Sequence, residues 1–390
     1  MIKAVFDPEV WQKVPFHFWS VVFFIFGSMV GSFLNVCIHR MPIGQSVVKP
    51  PSHCPHCKYS IPWYLNIPLI TWLFLKGRCR NCGAPISIRY YLVELLTAVA
   101  FVSCWFAFGR QSVALVLVYA LFISGLIAAT FIDFEHLIIP DEITLGGIVV
   151  GVVCSLLVPS LHPSDAFSAD HRLRSALLNS FCNSILGLAL GGGVIYAIVR
   201  IGKLFLGKQK FALPAETKII FSETALFFED KELAYEDVFY RQSDVITLQA
   251  RTLELVDRCY KDVRVRLSAS RLQIDDEELD PQTVPHMEAV SEEIVVPREA
   301  MGLGDVKFMA AIGAFLGWRS VIITLMLSSV VGSMVGLGAI ALGKRAWSTR
   351  LPYGPYIAIG AVVCVFWGQD IANFWNWWIT ARFLPMGLGQ

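Results

Sequence analysis

Two sets of residues in this 390-residue chain have the types and spacing to do chemistry: four cysteines in two C-x-x-C pairs, and two aspartates far apart in sequence. The cysteines are Cys54, Cys57, Cys79 and Cys82. Each C-x-x-C turn aims two thiolates at one point, and two such turns complete the tetrahedron that zinc prefers. A closed four-sulfur shell leaves no position for water, so the expected zinc is structural and staples its loop. His39, His53, His56 and His136 are bystanders in this reading, because four thiolates already satisfy the ion. Cys37, Cys104, Cys154, Cys182, Cys259 and Cys364 are scattered singly, mostly in apolar stretches, where cysteine acts as a small hydrophobe.

The aspartates are Asp133 and Asp305. Asp305 closes Gly302-Leu303-Gly304-Asp305, whose glycines permit backbone bends and close approach. Taken alone, Asp133 reads equally well as a boundary charge, like its neighbours Glu135, Asp141 and Glu142. Two carboxylates brought together cannot both ionise easily, so they share a proton and titrate as a unit. The ionised member then takes a proton from water attacking a scissile carbonyl, and the protonated member hydrogen-bonds the carbonyl oxygen. Lys307 is near enough in sequence to influence such a pair, and its role stays open. The chain carries no G-x-S-x-G elbow, H-E-x-x-H helix or P-loop.

The elements that position these residues are expected to lie in lipid. Hydrophobic residues make up 55% of the chain and charged residues 16%, too apolar for a soluble protein of this length. Apolar runs near the roughly 20 residues that cross a bilayer occur at 18–38, 92–108, 113–132, 143–158, 181–199, 306–318 and 321–342, with a last one from Tyr356. The expected fold is therefore an α-helical polytopic membrane protein of about eight spans. The first run is long, lacks an Ala-x-Ala site and carries its positive charge after it, so it reads as an uncleaved span. Lys3 and Lys13 are balanced by Asp7 and Glu9. Gly191 to Gly193 lack a strand context and read as a close helix contact.

Between His39 and Arg89 lie Arg40, Lys49, Lys58, Lys76, Arg78, Arg80 and Arg89 with no carboxylate, which fixes that loop on the cytoplasmic side. Alternation then puts Asp133, Asp305 and the basic Lys344, Arg345 and Arg350 inside as well. Two spans separate the aspartates, so both reach one membrane face. The apolar stretch 67–75 is too short to cross and is expected at the interface with Trp63, Tyr64 and Trp72 at headgroup level. A net charge of +1 without a dense basic run excludes a nucleic-acid partner.

Residues 207–300 differ in kind. They are polar, with carboxylates outnumbering Lys and Arg, and alternate at 245–256, 263–267 and 271–274 as strands do. They read as a small, largely β cytoplasmic domain inserted before the Gly302 motif. The run Asp275 to Glu278 reads as solvated loop charge. The expected organisation is 1–38 (outer N-terminus and first span), 39–91 (zinc loop), 92–206 (spans two to five with Asp133), 207–300 (insertion) and 301–390 (spans six to eight with Asp305).

Several motifs in this order resemble the prepilin peptidase, or type IV leader peptidase, family of membrane aspartyl proteases. They are Gly31-Ser32-Phe33-Leu34-Asn35 with Arg40, the two C-x-x-C pairs bracketing Trp63-Tyr64-Leu65-Asn66-Ile67-Pro68, and Ser87-Ile88-Arg89-Tyr90-Tyr91 with Glu94. Asp133 with Pro140-Asp141, Gly302 to Lys307, and Pro352-Tyr353-Gly354-Pro355 complete the match. The resemblance implies an enzyme of the bacterial inner membrane that removes the basic leader from type IV prepilins or type II secretion pseudopilins. It implies Asp133 and Asp305 as the catalytic pair, the four cysteines as the metal loop, and N-methylation of the new N-terminus from S-adenosylmethionine. No donor-binding motif is legible.

The resemblance does not reach the insertion, where such enzymes carry only a short loop. Three readings of the insertion stay open: an electrostatic trap for the leader, a docking module for pilus or secretion assembly proteins, and a tolerated addition. The rival to the protease is a non-enzymatic membrane scaffold, or an ion- or proton-coupled transporter with both aspartates in a polar cavity. It lacks the repeat symmetry such a transporter would carry.

Overall fold

The apolar runs fold as helices, several of which end at residues suited to end them. In this computed structural model all residues are described except 1–10, 12, 163–172, 207, 215–216, 223, 230, 236–237, 240–243, 285, 298–301, 343–351 and 384–390. The expectations resting on Lys3, Asp7, Glu9, Lys344, Arg345 and Arg350 lie outside the described residues. Helix α1 (Phe16–Arg40) is followed by a loop holding the short α2 (Ile70–Phe74). Helix α3 (Ile88–Phe108) begins at Ser87, whose hydroxyl accepts the Arg89 N–H and satisfies a free donor of the first turn. Helix α4 (Val113–His136) stops where Leu137 turns left-handed, at φ 54°. Pro140 then launches α5 (Asp141–Leu157), with Asp141 and Glu142 complementing the dipole of its first turn. Helices α6 (Leu173–Leu206), α7 (Leu303–Ala341) and α8 (Gly354–Phe383) complete the set.

Six of these helices, α1, α3, α4, α6, α7 and α8, are long and apolar enough to cross a membrane. That measure falls short of the expected eight for two physical reasons. Helix α5 has only 17 residues. Helix α7 has 39, which at about 1.5 Å per residue is nearly twice the thickness of a bilayer core. It is two helices run together across Gly317, whose φ of 76° and ψ of 171° are not helical. The runs expected at 306–318 and 321–342 therefore meet at this glycine.

The chain divides into two compact units, Met1–Ile195 with Leu303–Gln390, and Tyr196–Gly302. In the helical unit small residues set the closest contacts. A Cβ on Gly31 of α1 would sit 2.7 Å from the Glu94 Cα of α3. A Cβ on Gly187 of α6 would overlap the Gly313 carbonyl oxygen of α7, and the reverse holds too, so these helices touch backbone to backbone. The contact expected at 191–193 is real at Gly191, whose Cβ would lie 2.5 Å from the Met309 oxygen, while Gly193 faces open space. Beyond α5, buried His162 hydrogen-bonds the Ser180 hydroxyl through Nδ1 (3.1 Å) and lies against Gly317. Burial holds its pKa down at about 4.

The second unit carries a ten-stranded antiparallel sheet. Its order is β4 (Lys231–Ala234), β3 (Ala225–Phe228), β2 (Lys218–Phe221), β9 (Met287–Val290), β5 (Val245–Leu255), β6 (Cys259–Ser268), β7 (Leu272–Ile274) and β8 (Glu277–Leu279). Strand β10 (Glu293–Pro297) pairs with both β5 and β1 (Lys208–Ala212). The first and last strands are thus partners, Lys208 opposite Pro297. Alternate residues such as Ile246, Leu248, Val265, Leu267, Leu272 and Ile274 point into one core, as the strand pattern requires.

Candidate active site

Asp133 lies on the last turn of α4 with 5% of its surface exposed. Its Oδ2 accepts the backbone N–H of Gly354, the first residue of α8, at 2.9 Å. Asp305 lies half-buried in the first turn of α7, where the unpaired N–H groups of a helix start favour a carboxylate. Ile139, in the linker between α4 and α5, ties these places together. A Cβ on Gly354 would lie 3.1 Å from Ile139 Cδ1 and 2.8 Å from Asp133 Oδ2. A Cβ on Gly304, next to Asp305, would lie 3.5 Å from Ile139 Cβ. The end of α4 and the starts of α7 and α8 therefore converge on one buried side chain, with α5 and α6 returning the chain between them.

Close approach was expected of the glycines before Asp305. At Gly304 it is not found, since a Cβ there would make ordinary contact and the backbone is not left-handed, whereas Gly354 is tight. The sequence signal for Gly354 lay in Pro352-Tyr353-Gly354-Pro355, but nothing in that motif names its partner. Lys307 Nζ bonds Asp141 Oδ1 at 2.6 Å, so its charge is directed at the start of α5. Glu135, two residues beyond Asp133, is ion-paired with Arg89 at the start of α3.

The four cysteines come together. All four sulfurs lie within 4.8 Å of one another, with Cys54 and Cys82 3.8 Å apart and Cys57 and Cys79 4.0 Å apart. Tetrahedral zinc with bonds of about 2.3 Å holds sulfurs about 3.8 Å apart, so the cluster has the right size. Among the described residues no histidine joins the cluster. The surroundings favour thiolates unevenly. Cys57 is lowered to about 6, chiefly by the Asn81 side-chain amide and then by a backbone bond at Tyr59. Backbone donors at Cys82 and Asn81 lower Cys79. At Cys82 a bond at Ala84 favours the thiolate, but local desolvation and the neighbouring sulfurs outweigh it and push the thiol up to about 11.

The apolar stretch between the cysteine pairs is exposed, as an interfacial segment would be: Trp63, Ile70, Leu73 and Phe74 face outward. Trp72 differs from expectation. It is half-buried, with its indole N–H on the Ile86 carbonyl, and braces the loop from inside. Behind the loop lies a cavity of about 660 Å³, reaching from Cys54 and Cys79 to Asn35, Arg89, Glu94 and Glu135. Buried Glu94 accepts the N–H of Leu69 at 2.7 Å, which pins the loop to α3.

Known proteins resemble this chain in sequence. Residues 25–108 match the Bacterial Peptidase A24 N-terminal domain, and residues 289–337 match the Type IV leader peptidase family. A prepilin leader peptidase/N-methyltransferase of Dichelobacter nodosus is 35% identical over an alignment covering 48% of this chain and 69% of that protein. The chain belongs to the type IV leader peptidase family. Other leader peptidases match nearly end to end at lower identity. The prepilin leader peptidase/N-methyltransferase of Aeromonas hydrophila is 29% identical over 95% of this chain and 97% of its own length. That of Legionella pneumophila is 25% identical over 97% and 100%. No solved structure gives a significant match.

Proposed function

We propose that this leader peptidase cuts prepilins or pseudopilins with Asp133 and Asp305 as an acid–base pair and then methylates the new N-terminus. The observation that carries the cleavage reading is the convergence of both carboxylate-bearing helix ends on Ile139. The Gly354 N–H is directed at Oδ2 of Asp133 and fixes the orientation of that carboxylate. The remaining oxygen, Oδ1, is the one suited to water. One carboxylate removes a proton from water as it attacks the scissile carbonyl, and the other, protonated, donates to the carbonyl oxygen. Collapse of the tetrahedral intermediate returns a proton to the leaving amine, and the pair is ready again.

The further reading is eight spans in the bacterial inner membrane, counting α5 and the two halves of α7 separately, with the carboxylates at the cytoplasmic face. It is supported by the basic loop between His39 and Arg89 and by the Gly317 break. Zinc fits the four sulfurs and would brace the loop without entering the reaction. The relatives' name implies a methyl donor, S-adenosylmethionine, which supplies an electrophilic methyl group when bound. The cavity behind the zinc loop has room for it, and the exposed Lys58 and Arg80 on its wall suit a carboxylate. The inserted β unit remains a candidate docking module for assembly proteins.

The test is cleavage of a prepilin by purified enzyme, comparing wild type with Asp133→Asn and Asp305→Asn. Each variant is expected to lose activity by at least about 10³-fold, the scale of a lost general acid or base. Full processing by either variant removes that residue from the mechanism.

A further inference from the structure

The first turn of α8 leaves one N–H without an acceptor in its own helix, and Asp133 takes it. Gly354 is the first residue of the helix, Pro355 has no N–H, and the N–H groups of Tyr356 and Ile357 both bond the Tyr353 carbonyl, at 3.1 and 3.2 Å. The Gly354 N–H therefore turns out of the helix, to Oδ2 of Asp133. Its direction is that of the peptide plane joining Tyr353 to Gly354. Whatever fixes Tyr353 fixes the hydrogen bond that Asp133 receives.

Tyr353 is fixed at both ends. Its carbonyl starts α8, and its phenol oxygen lies 3.0 Å from Ser328 Oγ and 3.3 Å from Ser329 Oγ, both in the second half of α7 (318–341). Ser328 is fully buried and donates its own proton to the Leu325 carbonyl at 3.0 Å, so the phenol donates to Ser328. The ring lies beside Gly332, where a Cβ would come 3.6 Å from Tyr353 Cε2 and 3.3 Å from Tyr356 Cδ2. Two rotatable bonds join the anchored ring to the backbone, so it works as a short strut. A phenylalanine would fill the same space without a hydroxyl to satisfy between apolar helices, and hydrogen bonds differ from apolar contact in fixing direction. We propose that Tyr353 is a positioning residue for cleavage: hydrogen-bonded to Ser328 and Ser329, it holds the Gly354 N–H on Oδ2 of Asp133 and so sets the direction in which that carboxylate presents its other oxygen. Helix α7 then acts on both carboxylates, since its first turn carries Asp305 and its second half, beyond the Gly317 break, holds the strut to Asp133. The inference rests on the reading of Asp133 as a catalytic carboxylate given above.

Tyr353→Phe removes the hydroxyl alone. Steady-state cleavage of a purified prepilin by this variant is expected to show kcat lowered about three- to tenfold, the scale of one hydrogen bond, with KM within about twofold and with zinc content and Tm as in wild type. Ser328→Ala, which withdraws the acceptor from the other side, is expected to lower kcat in the same direction and to add nothing once the hydroxyl is gone in Tyr353→Phe. In Gly354→Ala, where the added Cβ would already meet Asp133 Oδ2 at 2.8 Å, Tyr353→Phe is expected to lower kcat by less than about a further twofold. A contact that only stabilised the fold would not show this dependence on Gly354. Unchanged kcat in both Tyr353→Phe and Ser328→Ala overturns the proposal, as does a rise in KM alone, or an equal loss from Tyr353→Phe in the wild-type and Gly354→Ala backgrounds. Cleavage by Asp133→Asn at the wild-type rate refutes the reading of Asp133 itself, a result read from a different variant and so distinguishable from these.

Discussion

Substituting Gly354 with alanine tests the geometry of the candidate active site directly. Gly354 has no left-handed backbone, so alanine is tolerated there conformationally, and only the added Cβ matters. That carbon would fall 2.8 Å from Asp133 Oδ2 and 3.1 Å from Ile139 Cδ1, and the carboxylate must give way. Moving it lengthens the 2.9 Å bond from the Gly354 N–H. A hydrogen bond to a charged group contributes about 1.5–3 kcal/mol, so its loss corresponds to about 10- to 150-fold in rate if the orientation it sets is used in the transition state. The assay is kcat/KM for prepilin cleavage by Gly354→Ala beside Gly125→Ala. Gly125 lies on the same helix as Asp133, and a Cβ there meets nothing within 4 Å. Equal kcat/KM for Gly354→Ala and wild type, with zinc content and thermal stability unchanged, would refute the argument that this contact orients Asp133.

Further outcomes follow from other contacts. Gly313→Ala inserts a methyl where α6 and α7 touch, and is expected to destabilise the detergent-solubilised protein by about 1–3 kcal/mol, read as a lower Tm, while Gly193→Ala leaves Tm unchanged. His162 titrates at about 4 when folded and at about 6.5 when unfolded, so the unfolded chain binds more protons between those values. Stability is therefore complete above about pH 6.5 and falls by about 3 kcal/mol by pH 4; His162→Gln is expected to flatten the drop in Tm between pH 7.5 and 5, and an unchanged drop counts against it. Cys54→Ser is expected to lose the bound zinc by elemental analysis, and retention of the metal would show that the four sulfurs are not its ligands. Replacing residues 208–297 by a short Gly-Ser linker is expected to leave the helical unit folded and zinc-loaded, since Lys208 and Pro297 are paired neighbours; loss of zinc would contradict this.

Much of the helical unit is legible in the sequence because lipid solubility selects long apolar runs, and those runs fall on helices that mostly extend a few residues past them, and seven or eight at each end of α6. The count is less legible. Residues 306 to 342 read as two runs around Gly317, yet whether a glycine bends, breaks or merely continues a helix depends on what packs against it, here His162. The four cysteines were readable because metal spacing is local. The sequence offers Asp133 and Asp305 as a candidate pair through parity and motif, but Ile139, the residue that joins their surroundings, is an ordinary apolar side chain. Arg89 with Glu135 and Asn35 with Tyr90 are contacts across 46 and 55 residues, and no local pattern encodes them. In the inserted unit the long strands β5 and β6 announced themselves by alternation. The four-residue strands β2, β3 and β4 are too short for any period to stand out, and their partners in the sheet create them.

The pairing of β1 with β10 also bears on the order in which the chain assembles. Asp305 is translated long after Asp133, and about 90 residues lie between Lys208 and Pro297. As a flexible tether, that length costs closure entropy growing as (3/2)RT ln n. Once the sheet has formed, its two ends are adjacent and the effective tether shrinks to a few residues, a gain of about 3 kcal/mol for joining α7 to the earlier helices. The inserted unit then works as a clasp, so that a helical enzyme interrupted by a whole domain closes as though the interruption were a turn.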